Sequence, residues 1–159
     1  MNSPDDHMIR AALDTASRSP CRSKRGVALW DPETGAFRGK GCNGPPAARP
    51  CPGRAVCAGT CGQRSVHAEV RALRAAAAYR TLGHPPGPYD LVHVELKDPV
   101  GSGERASDDV VACDAPSCLP CAVQILDVGF VGGVWLYERI LLAPGRMWRR
   151  YTAEEFHVA

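Results

Sequence analysis

Two short segments of this chain hold the residue types that a hydrolytic metal centre needs. His67-Ala68-Glu69 supplies an imidazole and a carboxylate, and Pro116-Ser117-Cys118-Leu119-Pro120-Cys121 supplies two thiols. Two thiolates and a neutral histidine fill three of zinc's four tetrahedral positions and leave one for water. Zinc at His67, Cys118 and Cys121 would lower the pKa of that water from about 16 towards 7. Glu69, which is not a ligand, stands ready to take the water's proton and pass it on. The chemistry this set suits is attack of activated water on an amine-bearing ring carbon, C4 of a cytosine or C6 of an adenine, with loss of ammonia. Each half of the pattern is weak alone, because most His-x-Glu tripeptides lie on helix surfaces and a lone Cys-x-x-Cys fits a redox pair or half a zinc finger. Together they discriminate. A redox role would leave His67 and Glu69 idle, and a purely structural zinc has no use for a carboxylate behind an open position.

On a helix body, residues at i and i+2 face apart, but in a first turn both can reach a group beyond the helix end. The segment from His67 to Arg80, dense in Ala, Leu, Arg and Glu, predicts a helix. Cys118 to Val128 predicts another, ended by Gly129. Leu91 to Leu96 and Val131 to Tyr137 read as apolar strands, with a polar loop from Lys97 to about Pro116. Two crossovers between parallel strands would bring both helix starts to one sheet edge, where the positive helix ends favour thiolates. Upstream, Met8 to Ser17 reads as a helix with either Ile9, Leu13 and Ala16 or Ala12 and Ala16 on one face. Gly26 to Trp30 and Ala36 to Lys40 form a hairpin around the turn at residues 31 to 35. Thr152 can cap a last short helix holding Glu154, Glu155 and Phe156. This order predicts an α/β fold, a three-layer α/β/α sandwich.

Composition narrows the setting. With 159 residues, 45% hydrophobic and 23% charged, residues 1–159 read as a single domain without repeats. No basic start precedes a long apolar run, so the expectation is a cytoplasmic protein that does not engage a membrane. A net charge of +2 is too small to argue for nucleic acid by itself. Eight cysteines in a reduced compartment point to metal before disulfides. Residues 42–65 are rich in Gly, Pro and Cys and poor in large apolar side chains, so a packed core cannot order them. Cys21, Cys51, Cys57 and Cys61 would do so as the ligands of a second, structural zinc; the alternative is a flexible loop with free thiols. Cys42 and Cys113 read as bystanders.

The pairing of His-x-Glu with a later Pro-Cys-x-x-Cys is a signature of zinc deaminases acting on nucleobases, although here Ser117 separates Pro116 from Cys118. From about Met8 to Tyr137 the chain resembles the deoxycytidylate (dCMP) deaminase family. The resemblance rests on residues 19–27, on Gly41-Cys42-Asn43-Gly44-Pro45-Pro46, on Ser65-Val66-His67-Ala68-Glu69, and on the Cys118/Cys121 pair followed by Gly129-Phe130. It implies a cytidine-deaminase-like sandwich with a mixed five-stranded sheet, a small nucleotide substrate and a homo-oligomer. It also implies Asn43 as a sugar or phosphate contact and a backbone N–H of Ala68 for the base carbonyl, with Ser117 beside them as a candidate substrate contact. Some members carry a structural zinc on cysteines matching Cys21 and Cys51. Three departures border the substrate pocket: Arg71 stands where the family usually has Asn, Cys42 replaces an aromatic residue, and about twenty residues follow Leu96 before the cysteine pair.

Further residues leave alternatives open. Arg22, Lys24 and Arg25 suit either a phosphate or a solvated turn. Trp148, Arg149, Arg150 and Tyr151 suit either a stacked base of a nucleic acid or, more readily, a docked C-terminal segment. Trp135 reads as core, and His7, His84, His93 and His157 as structural or surface residues. The leading expectation is hydrolytic deamination of a cytosine nucleotide, dCMP first. Its rivals are a modified nucleotide, a free base or a base in single-stranded DNA or RNA, and a non-catalytic zinc module.

Overall fold

A computed structural model describes residues 3–21, 23–45, 65–83, 87–97, 110–111, 118–139 and 146–158. Helix α1 (Asp6–Ser17) begins where the Asp5 carboxylate accepts a hydrogen bond from the His7 amide at 2.8 Å. Strands β1 (Ser23–Trp30) and β2 (Phe37–Cys42) pair in an antiparallel hairpin. At its turn the Asp31 carboxylate accepts from the Glu33 amide and Gly35 takes φ +70°. Helix α2 (Ala68–Thr81) leads to β3 (Tyr89–Lys97) and the two-residue β4 (Val110–Val111). Helix α3 (Leu119–Asp127), β5 (Val131–Arg139), β6 (Arg146–Thr152) and helix α4 (Ala153–Val158) complete the chain.

The strand order is β2-β1-β3-β5-β6, with β4 added to β3. β1 is antiparallel to β2 and β3, β3 is parallel to β5, and β5 is antiparallel to β6. Strands β2, β3 and β5 therefore run the same way, so α2 and α3 both rise from one edge of the sheet. The expected mixed five-stranded sheet is present, and β4 extends it by pairing with Glu95 and Leu96.

Alternation along the strands divides the interior in two. Val27, Leu29, Leu91, Val134 and Leu136 face α2, α3 and α4, where Ala72, Leu73, Ala76, Ile125 and Phe156 meet them. Ala28, Trp30, Val92, Val94 and Trp135 face α1 and its Met8, Ala12 and Ala16. Burying one such large side chain is worth about 1.5–3 kcal/mol, so both helical layers are held firmly to the sheet.

The helices approach closely because glycines lie beneath them. A Cβ at Gly26 would strike Ala12 and Ala16 of α1. One at Gly41 would lie 2.6 Å from the Arg71 Cβ and 2.8 Å from the Ala68 carbonyl oxygen. Gly41 thus sets the height of the first turn of α2. Gly41→Val is expected to cost about 1–3 kcal/mol through overpacking and to weaken zinc binding, because that turn begins at His67. Thermal unfolding and a zinc titration check this; an unchanged melting temperature would count against it.

The predicted elements recur with ends shifted by one to three residues, a usual scatter. His67 and Cys118 lie just before their helices, as N-caps. The strand β6 was not foreseen. Arg146 to Tyr151 carries three arginines, which obscure the alternation by which Trp148 joins the α1 layer while Tyr151 packs on the opposite side. An edge strand tolerates such charges. Arg150 is held by Asp90 through two hydrogen bonds of 2.9 and 2.7 Å, and Trp135 Nε1 donates to the same carboxylate at 2.9 Å. The docked reading of the C-terminal segment holds for residues 146–158, as a paired strand and a helix. That helix opens with a capping box: the Glu155 amide donates to Thr152 Oγ1 and the Thr152 amide donates to Glu155 Oε2. Among the described residues no helix is long and apolar enough to cross a membrane.

Candidate metal centre

His67 is the N-cap of α2, with φ −71° and ψ 152°, and its side chain makes no capping hydrogen bond. Cys118 is the N-cap of α3, and its carbonyl accepts from the Cys121 amide at 2.8 Å and the Ala122 amide at 3.2 Å. Pro120 fits the first turn of α3 because an amide there has no intrahelical partner to lose. Since both helices leave the same edge of the sheet, their N-caps meet.

The meeting is close. His67 Nδ1 lies 3.2 Å from each of the Cys118 and Cys121 sulfurs, and the sulfurs are 3.5 Å apart. Zn–S bonds of about 2.3 Å and Zn–N bonds of about 2.0–2.1 Å at tetrahedral angles put ligand atoms roughly 3.5–3.8 Å apart. The observed triangle fits such an ion with small adjustment. The three donors together could hold a metal ion. Cys121 is buried, His67 half-buried and Cys118 exposed, so the triad has a closed side and an open side. A purely structural four-ligand site would be closed throughout.

Electrostatics argue for a cation there. Burial pushes the Cys121 thiol well above its usual range, and the Glu69 charge and Cys118 push it further. The Cys121 thiol in such surroundings gives up its proton readily only when a positive ion is held beside it.

Glu69, two residues into the story of α2 after His67, is 1% exposed. Its Oε1 lies 3.6 Å from Nδ1 of His93 on β3. His93 is equally buried, and burial is the main cause that lowers its pKa, so its neutral form is favoured. Its burial agrees with the structural reading of this histidine, whereas its contact with Glu69 was not foreseen. The available signal was its phase: alternation from Leu91 puts residue 93 on the face that α2 covers, and a polar group within an apolar strand calls for a partner.

The other candidate residues fall into place around this centre. Asn43 Oδ1 accepts from the Arg25 amide at 2.8 Å and from Ser19 Oγ at 2.7 Å, while Nδ2 donates to the Ser23 carbonyl at 2.8 Å. The Asn43 side chain therefore ties the end of β2 to the start of β1. Gly44 pairs with Val66 in an isolated bridge, and Arg71 Nη2 donates to the Pro45 carbonyl at 2.6 Å. Those bonds lock residues 43–45 against the approach to His67. Ala68 is fully buried at the first position of α2, where a backbone N–H has no intrahelical partner. Lys24 and Arg25 are residues of β1 rather than of a turn: Lys24 Nζ donates to the Ser19 carbonyl, and Arg25 lies 3.8 Å from Glu95. Cys21 is buried. Ser117, Arg22, His84, Cys51, Cys57, Cys61 and Cys113 lie outside the described residues.

Solved structures share this architecture. A dCMP deaminase from the cyanophage S-TIM5 in its apo form superposes with a TM-score of 0.53 at 18% identity, covering 81% of this chain and 78% of that one. The chain has a cytidine-deaminase-like fold. The same phage enzyme in complex with dCMP and dUMP gives a TM-score of 0.51 at 20% identity, covering 80% and 75%. No protein-family model and no curated protein matches the sequence. Within this fold, the His67, Cys118 and Cys121 triad stands where two helices begin at one sheet edge.

Proposed function

We propose that the chain is a zinc-dependent hydrolase that converts a cytosine nucleotide, dCMP in the first instance, to its uracil form with release of ammonia. The observation that carries this reading is the donor triangle of His67, Cys118 and Cys121 with buried Glu69 on the same helix turn. The deaminase fold supports it, as does the structure of the phage enzyme with dCMP and dUMP. Zinc bound at the triad supplies a water whose pKa is lowered to about 7.

The residues of the chain do the rest. Glu69 removes a proton as the water oxygen bonds to C4 of the ring, delivers it to N3, and assists transfer of a proton to the departing amine. Cytosine and water thus become uracil and ammonia, and Glu69 ends in the state in which it began. The buried surroundings exclude bulk water, which strengthens these contacts. The N–H of Ala68, at the start of α2, is suited to the base carbonyl. Asn43 retains a second Nδ2 hydrogen for a sugar hydroxyl, and Ser117 adjoins the cysteine pair in sequence.

The same proposal holds a second zinc on Cys21, Cys51, Cys57 and Cys61, supported by the burial of Cys21 and the crowding of the other three in sequence. It also holds a single-domain, cytoplasmic homo-oligomer; Leu119 and Val123, exposed one turn apart on α3, support association.

An ammonia-release screen tests the reading. Zinc-loaded protein should release ammonia from dCMP faster than from cytosine, cytidine, adenine compounds or short single strands. Activity confined to purines would overturn the substrate choice. Activity on single strands that collapses with added salt would shift it to a polynucleotide.

A further inference from the structure

Beneath the first turn of α2 the sheet is polar. Arg25 on β1 and His93 and Glu95 on β3 all face this helix, set by the pairs Arg25–Glu95 and Val27–His93 and by alternation from Val27 and Leu91. The side chain of His93 is 0% exposed and that of Glu69 2%. Behind His93, Glu95 receives the Ser23 hydroxyl and lies 3.8 Å from the Arg25 guanidinium. The proton carrier is thus backed by an imidazole and then by an ion pair, where hydrocarbon would pack at less desolvation cost.

Such an arrangement has a use. Glu69 must take up and release a proton at a fixed place in every turnover, and a misplacement of about 1 Å at a reacting group can cost a hundredfold in rate. A glutamate side chain rotates about three bonds, so burial alone does not fix which oxygen faces the reaction. Nδ1 of His93 faces Oε1 at 3.6 Å, longer than a hydrogen bond, and such contacts tighten when substrate binds. The charged and titratable groups facing His93 are Glu69, Arg25, Glu95 and His67.

We propose that His93 is a positioning residue for Glu69: its Nδ1–H engages one carboxylate oxygen and leaves the other to carry the proton. This rests on the reading of Glu69 as the proton carrier. His93 touches neither substrate nor metal in this role and acts through the carboxylate alone.

The geometry makes the test selective. An asparagine amide nitrogen can occupy the place of Nδ1, whereas a glutamine amide reaches the place of Nε2. Zinc-loaded His93→Leu, His93→Asn, His93→Gln, Glu69→Gln and the double variant Glu69→Gln/His93→Leu are compared on dCMP, or on whichever amine the screen identifies. His93→Leu and His93→Gln should lower kcat about ten- to hundred-fold with KM and zinc content nearly unchanged. His93→Asn should recover most of the loss, and in the Glu69→Gln background His93→Leu should cost nothing further. A merely structural histidine would lower the melting temperature without this selectivity between Asn and Gln. Full kcat in His93→Leu beside an inactive Glu69→Gln overturns the proposal and leaves the reading of Glu69 intact. If His93→Leu fails to fold, the contrast between Asn and Gln still decides. A fully active Glu69→Gln overturns both.

Discussion

Glu69→Gln should lower kcat about 10²–10⁴-fold, the usual contribution of a positioned acid–base group, while the protein keeps its zinc. The substitution preserves shape in a site that is 1% exposed, so packing changes little. Its effect on the metal has a definite sign. The negative charge of Glu69 is, after burial, the largest cause that raises the Cys121 thiol, so its removal eases ionisation of that ligand. Zinc should therefore bind at least as tightly as in the unaltered chain. Metal analysis and steady-state ammonia release separate the two effects; loss of metal together with activity would show that Glu69 serves the site as a ligand.

Zinc uptake by the metal-free protein should depend steeply on pH. Burial holds Cys121 protonated far above its usual range, so a thiol proton must leave when the ion enters. If Cys121 surrenders its proton on binding, the apparent affinity falls about a hundred-fold between pH 8 and pH 6. Affinity therefore rises as the medium becomes more alkaline, and Cys121→Ser should both weaken binding and flatten that slope. Competition with a chromophoric chelator across this range measures it. An affinity independent of pH would rule out thiolates as the ligands.

The grouping of the three donors was legible in the sequence because His67 and Cys118 each sit at a discontinuity. His67 precedes a run of strong helix formers, and Cys118 precedes a proline suited to a first turn. The chemistry of a zinc deaminase needs an imidazole and paired thiolates at two helix starts, and few other folds need that combination. His93 was not legible as a functional candidate, since a single histidine in a strand names no partner. Only the pairing of β3 with β1, and the height of α2 over Gly41, bring it to Glu69. Strand β6 was hidden for a different reason. Its inward polar group, Arg150, is neutralised by Asp90, sixty positions away in the chain, and short-range pattern cannot see so distant a counter-ion. Likewise β4 has two residues, too few for any period.

The late arrival of β6 has a consequence for how the chain matures. Each residue of the candidate metal triad emerges from the ribosome before Arg146 does. Until β6 docks, β5 presents an open edge to neighbouring nascent chains, and α3 lacks Phe156 in the core beneath it. The platform carrying Cys118 and Cys121 is thus completed only once residues 146–156 have followed them, and an ion captured before that moment would draw together a half-built shelf.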